Sequence, residues 1–272
     1  MHFMTSVSTI AIGLAFALSP APAAANPSEM SEFTSLCPLQ TSVACIVDHF
    51  DAIYSLAESG NTLAANALYT SLTGCDEANA APIRGSVKLH TVTPDAPKPK
   101  NSQPIDADAE DLAQAQHVLN TIAAGCSYFS ASQISKRSNI RWLAASQGNS
   151  NALNDLWIGL VAKSHAGHNT IADSDDAKRL VSELNKFADS RHPDVLEILS
   201  QVYSQGVLVQ PDYVKAYGFA AAAIVVEKQH DVVPEFKFRQ LDKLFNHLTK
   251  DERIRAQEFA VDLTHANGKD ST

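Results

Sequence analysis

The chain has 272 residues, with 30 acidic against 21 basic side chains and a formal net charge of −9. Phosphate backbones and anionic membrane surfaces are met by basic faces, so this charge excludes both as principal partners. Apolar residues make up 45% of the chain, which suits a packed globular fold rather than a disordered one.

The first element is a leader. Val7–Leu18 is uncharged but too short for a bilayer, which takes about 20 residues. It fits the apolar region of a secretory signal, with Pro20 breaking it and Ala23-Ala24-Ala25 supplying small residues for cleavage after Ala25. The n-region departs from the usual pattern in having His2 but no Lys or Arg. Residues 1–25 therefore read as a signal peptide, and the expected location is periplasmic or secreted. No later stretch approaches about 18 consecutive apolar residues, so no membrane span is expected in the 247 that remain.

All four cysteines lie in that mature part, and an even count in an exported chain predicts disulfides. Four cysteines allow three connectivities. Cys37–Cys45 is favoured because the pair is close in sequence and brackets a Pro38 turn. Cys75–Cys126 would then tie two helical segments across a polar loop. No C-x-x-C occurs, so neither a redox motif nor a zinc site is indicated.

Residues 26–75 read as an N-terminal helical segment with a degenerate repeat. Val43, Ile46, Val47, Phe50, Ile53, Tyr54 and Ala57 recur at helical spacing and predict one helix over 41–58, ended by Gly60-Asn61. A second helix is expected from Leu63 to Leu72. Residues 76–107, with Pro82, Pro94, Pro97, Pro99 and Pro104 among polar residues, read as an exposed flexible loop. A helical pattern resumes at Asp108 and runs through Leu112, Val118 and Ile122 to Gly125. The cluster Asp106, Asp108, Glu110, Asp111 beside that start complements the helix dipole. His165 and His168, with Asp173, Asp175 and Asp176 nearby, read as a polar inter-helix loop, and no metal or cofactor is expected.

A repeat runs beneath these elements. Leu56–Leu72 and Ala144–Leu160 align at an offset of 88, matching Gly60 with Gly148, Asn61 with Asn149, Asn66 with Asn154, and Tyr69 with Trp157. A third copy follows 43 residues on, where Ala188, Val195 and Leu199 fall opposite Ala145, Ala152 and Leu156. The first spacing is about twice the second, which suggests a missing or degenerate unit containing the Pro-rich loop. In the third copy Pro193 opens a helix, Gly206 ends it, and Pro211-Asp212 opens the next. Ala216, Phe219, Ala220 and Ala223 make its inner face, and Tyr203 with Phe219 fills the space between units. Such a helix–turn–helix leaves an apolar side that a neighbouring unit must cover.

Pro193–Val225 resembles the Sel1-like repeat, a tetratricopeptide relative with the pattern A-x-x-x-L-G-x-x-Y-x-x-G-x-G-V-x-x-D-Y-x-K-A-x-x-W-Y-x-x-A-A. Leu199, Tyr203, Gly206, Val209, Asp212, Tyr213, Lys215, Ala216, Phe219, Ala222 and Ala223 match; Val195, Ser200 and Leu208 depart from it. Trp142–Leu156 is similar to the junction between units, and Leu248–Leu263, with a Thr249–Glu252 capping box, looks like the closing helix of such proteins.

The resemblance implies an all-α, disulfide-bonded solenoid of antiparallel helix pairs over 108–264, with a disordered tail over 265–272. It implies a binding module of the exported bacterial type, an adaptor or scaffold in the cell envelope that takes a protein or peptide on its concave surface. Asn66, Asn154 and Trp157, at equivalent repeat positions, are the expected partner contacts. No H-E-x-x-H, G-x-S-x-G or phosphate loop occurs, and no enzyme activity is expected. The alternative is a cell-envelope hydrolase, acting on β-lactam or peptidoglycan material from a helical-repeat scaffold.

Overall fold

A computed structural model describes residues 27–38, 42–73, 75, 124–165, 171–189, 192–229 and 232–265. The leader, the Pro-rich loop, residues 108–123 of the helix expected from Asp108, His168 and the tail beyond His265 lie outside the described residues. All regular structure among the described residues is helical. The helices are α1 (Pro27–Leu36), α2 (Val43–Asp48), α3 (Phe50–Glu58), α4 (Thr62–Leu72), α5 (Ala131–Ser135) and α6 (Arg137–Ser146). They continue as α7 (Ser150–His165), α8 (Asp175–Ala188), α9 (Pro193–Gln205), α10 (Tyr213–Lys228), α11 (Glu235–Asn246) and α12 (Lys250–His265), with a 3-10 turn at Ile171–Asp173.

The helix expected over 41–58 is divided at His49, whose φ of −110° and ψ of 20° bend it into α2 and α3. The hydrogen-bond ladder carries across the bend, with His49 N–H donating to Cys45 O and Ile53 N–H to His49 O, so this is a kink and not a stop. Phe50, Ile53 and Ala57 form the buried stripe of α3. Both favoured disulfides are present: Cys37–Cys45 ties the end of α1 to α2, and Cys75–Cys126 closes the stretch between α4 and α5 with Cα atoms 5.5 Å apart.

Two turns share one construction. Gly60 and Gly148 have φ of +100° and +85°, a region glycine enters without steric cost. Gly60 N–H bonds Ala57 O and Asn61 N–H bonds Leu56 O; 88 residues on, Gly148 N–H bonds Ala145 O and Asn149 N–H bonds Ala144 O. The Asn61 and Asn149 side-chain oxygens then cap α4 and α7, accepting from Ala64 and Ala152 N–H at 2.9 Å each. At the 43-residue step His192 takes the cap position without a side-chain cap bond, and Pro193 sets the first turn of α9 instead.

Packing runs mainly between elements close in the chain. The helix α3 lies on α4, α4 on α6, α6 on α7, α7 on α8 and α9, α9 on α10, and α10 on α11 and α12. Alanine serves these contacts: Ala64, Ala65, Ala144, Ala145, Ala152, Ala177, Ala216 and Ala222 are fully buried. Gly218 does the same on α10, where a side chain would collide with the Phe259 ring of α12. Because α4 packs directly on α6, the matching junctions at Gly60 and Gly148 belong to neighbouring helix pairs. The missing or degenerate unit expected between them falls on residues 76–123, which lie outside the described residues; the Cys75–Cys126 bridge spans that stretch.

Candidate partner-binding groove

The equivalent positions picked out in the sequence lie where helix pairs meet. Tyr69 on α4 donates its hydroxyl to Asp155 Oδ2 on α7 at 2.8 Å. Burial, then the Asp155 charge, holds that hydroxyl well above the ordinary tyrosine range. Trp157 on α7 donates its indole N–H to Gln201 Oε1 on α9 at 3.1 Å. The two matched aromatics thus do the same work, each reaching to the corresponding helix of the next pair. Asn149 Nδ2 donates to Asn66 Oδ1 at 2.8 Å, and Gln147 Nε2 to Ala57 O at 2.9 Å.

These contacts bear on the expected site. Trp157 is 2% exposed, so its ring fills the space between helices and presents no surface to a partner. The Asn66 oxygen is engaged by Asn149, and Asn154 is half-buried on α7. Of the repeat signature, Leu199, Ala216, Ala222 and Ala223 are core, and Gly206 ends α9 in the left-handed conformation with φ of +66°. Phe219 is core as well, and the remaining five, Tyr203, Val209, Asp212, Tyr213 and Lys215, line one open groove of about 570 Å³ with Gln210, Pro211, Val214, His247 and Glu252.

One wall is the α9–α10 turn. Pro211 packs over Gly206, and Asp212 N–H donates to Tyr203 O at 2.9 Å. Asp212 Oδ1 caps α10 by accepting Lys215 N–H at 3.0 Å, while Oδ2 lies 3.9 Å from the Lys215 ammonium. That ammonium stands 4.9 Å from the centre of the Tyr203 ring, whose plane stacks on Phe219 at 5.7 Å.

The other wall is the α11–α12 turn. His247 stacks on Tyr213 with ring centres 4.6 Å apart and planes 8° from parallel. Glu252 Oε2 accepts Thr249 N–H at 2.9 Å and the Thr249 hydroxyl at 2.8 Å, the expected capping box. Those bonds, the backbone one first, hold the Glu252 carboxyl below its usual range. Each carboxylate is therefore fixed by a helix cap, and each tyrosine ring is stacked. The groove is thus open, aromatic and charged.

Helix α11 is the support of the second wall. It buries no side chain fully and is anchored by Lys237, which bonds Glu227 Oε2 of α10 at 2.6 Å and also Glu197 of α9. Burial, only partly offset by Lys237, raises the Glu197 carboxyl. Burial alone would lower Lys237, but its two carboxylate partners outweigh it and raise the ammonium.

His247 and Gln210 were not among the expected site residues. The only sequence signal for them is their place in turns flanking the repeat signature. In comparisons with known proteins, no family model, no curated protein and no solved structure matches the chain.

Proposed function

We propose that the chain is an exported protein-binding module of the Sel1-like, tetratricopeptide-related kind. It serves as an adaptor or scaffold in the cell envelope and takes a protein or peptide in the groove between the α9–α10 and α11–α12 turns. The observation that carries this reading is the convergence of exposed Lys215 and half-buried Tyr203, Val209, Asp212 and Tyr213 on one open surface, while Leu199, Ala216, Phe219, Ala222 and Ala223 pack the core. Two disulfides suit an oxidising compartment. Among the described residues no helix is long and apolar enough to cross a membrane. The recurring glycine–asparagine turns support a stack of helix pairs, which offers an extended surface for recognition.

The test is site-specific photocrosslinking in the native host. A probe at exposed Gln210 is expected to capture one discrete species. The same species should disappear with Tyr213→Ala in a variant of unchanged circular dichroism, and a probe at exposed Glu58 should not capture it. Equal capture from both positions, or none from Gln210, sinks the reading.

A further inference from the structure

We infer that the groove takes a basic side chain of its partner, a lysine or arginine in a peptide segment, seated where the Lys215 ammonium now lies over the Tyr203 ring. This rests on the binding-module reading and adds the chemistry of the ligand.

The protein's own lysine is the first observation. Lys215 places its ammonium 4.9 Å from the Tyr203 ring centre and 3.9 Å from Asp212 Oδ2, so the groove already holds a cation at an aromatic face beside a carboxylate. Its side chain is 47% exposed and can swing into solvent, leaving the position to an incoming ammonium or guanidinium.

The second observation is the fixed charge. Asp212 and Glu252 are held by their capping bonds, so their negative ends are oriented before any ligand arrives and need no ordering on binding. Among the residues lining the groove these two acids stand against one lysine and His247; behind the lining the Arg255 guanidinium lies 3.9 Å from Glu252 Oε1, so Asp212 is the acid that faces the seat. The chain's net charge of −9 adds a field that draws basic segments and repels acidic ones. The third observation is the aromatic surface. The Tyr203 and Tyr213 rings are braced by Phe219 and His247, and an arginine plane stacks on such faces as readily as it pairs with a carboxylate.

The experiment uses the mature chain and fluorescein-labelled octapeptides of glycine, serine and alanine carrying one arginine and one lysine. Control peptides carry citrulline and acetyl-lysine, or two glutamates, at those positions. Binding is read by anisotropy at about 150 mM salt, where charges beyond roughly 8 Å are screened. The basic peptide is expected to bind and both controls to fail. Asp212→Asn keeps the helix cap but removes the charge, and is expected to weaken binding about tenfold, the size of one exposed charge contact. Lys215→Ala vacates the seat and is expected to tighten binding. Asp242→Asn, an exposed acid of α11 outside the groove, should leave it unchanged.

Equal binding of the citrulline peptide, weaker binding on Lys215→Ala, or equal effects of Asp242→Asn and Asp212→Asn would overturn the inference. If the basic peptide fails while the Gln210 probe still captures its Tyr213-dependent species, the ligand chemistry is refuted and the binding module stands. If both fail, both readings fall.

Discussion

Gly60 and Gly148 offer a matched experiment within one chain. Both sit in the same turn with positive φ, +100° and +85°, and an alanine at either must adopt a left-handed backbone that costs about 1–2 kcal/mol. Around Gly60 a new Cβ meets nothing within 4 Å, whereas at Gly148 it would lie 2.9 Å from Phe187 Cε1 and 3.2 Å from two further ring carbons. The Phe187 ring is half-buried and has the Lys186 ammonium 4.9 Å from its centre, so displacing it adds an overpacking cost of about 1–3 kcal/mol. Gly60→Ala is therefore expected to destabilise by about 1–2 kcal/mol and Gly148→Ala by roughly 2–5. Urea unfolding of the two variants, with unchanged slope, reads both values. Phe187→Leu should recover part of the loss in the Gly148→Ala background and none in the Gly60→Ala background. Equal costs at the two glycines would refute the assignment of the difference to Phe187.

Three further outcomes follow from the same geometry. Replacing Cys75 and Cys126 by serine is expected to cost about 4 kcal/mol from loop closure, against roughly 2.5 for Cys37 and Cys45, measured by denaturation of each double variant. Lys237→Met leaves Glu197 and Glu227 without their cation and should destabilise by about 2–3 kcal/mol, somewhat below the fully buried case. Because the folded Glu197 carboxyl is already raised, the folded state takes up its proton first as pH falls; the loss in Lys237→Met should therefore shrink from pH 8 towards pH 5, and a loss that grows on acidification contradicts the cluster. Glu252 is shifted the other way: its contribution is present above the unfolded carboxyl range and lost as pH falls through the lowered folded value. Glu252→Gln, which keeps the capping box, should flatten that acid limb of the melting-temperature profile.

Local signals were legible where they act locally. The Thr249–Glu252 box, the Pro193 start, the Gly206 end and the helix start at Pro211-Asp212 all depend on residues within one turn of the helix terminus, and the structure has each of them. The two disulfides were readable because Cys37 and Cys45 are close, which left one pairing for the others. The kink at His49 was not, since an unbroken apolar stripe runs through it. Helix α11 was missed because it buries no side chain fully and is held by a charge cluster assembled from three helices. The expected contact at Trp157 failed for a similar reason. Periodicity shows that positions are equivalent but not which way they face, and the aromatic match with Tyr69 marks a shared bond to the next helix. The groove arises from turns about 35 residues apart, a proximity that only tertiary packing creates.

The ends of the Cys75–Cys126 stretch are one disulfide apart while α4 and α6 are already in contact. Covalent continuity and structural continuity therefore separate at this point. A backbone cut between the two cysteines would leave one covalently joined molecule while the bridge is oxidised, and two fragments only once it is both reduced and denatured. The bridge would therefore hold this junction covalently closed whatever became of the peptide bonds between its two cysteines.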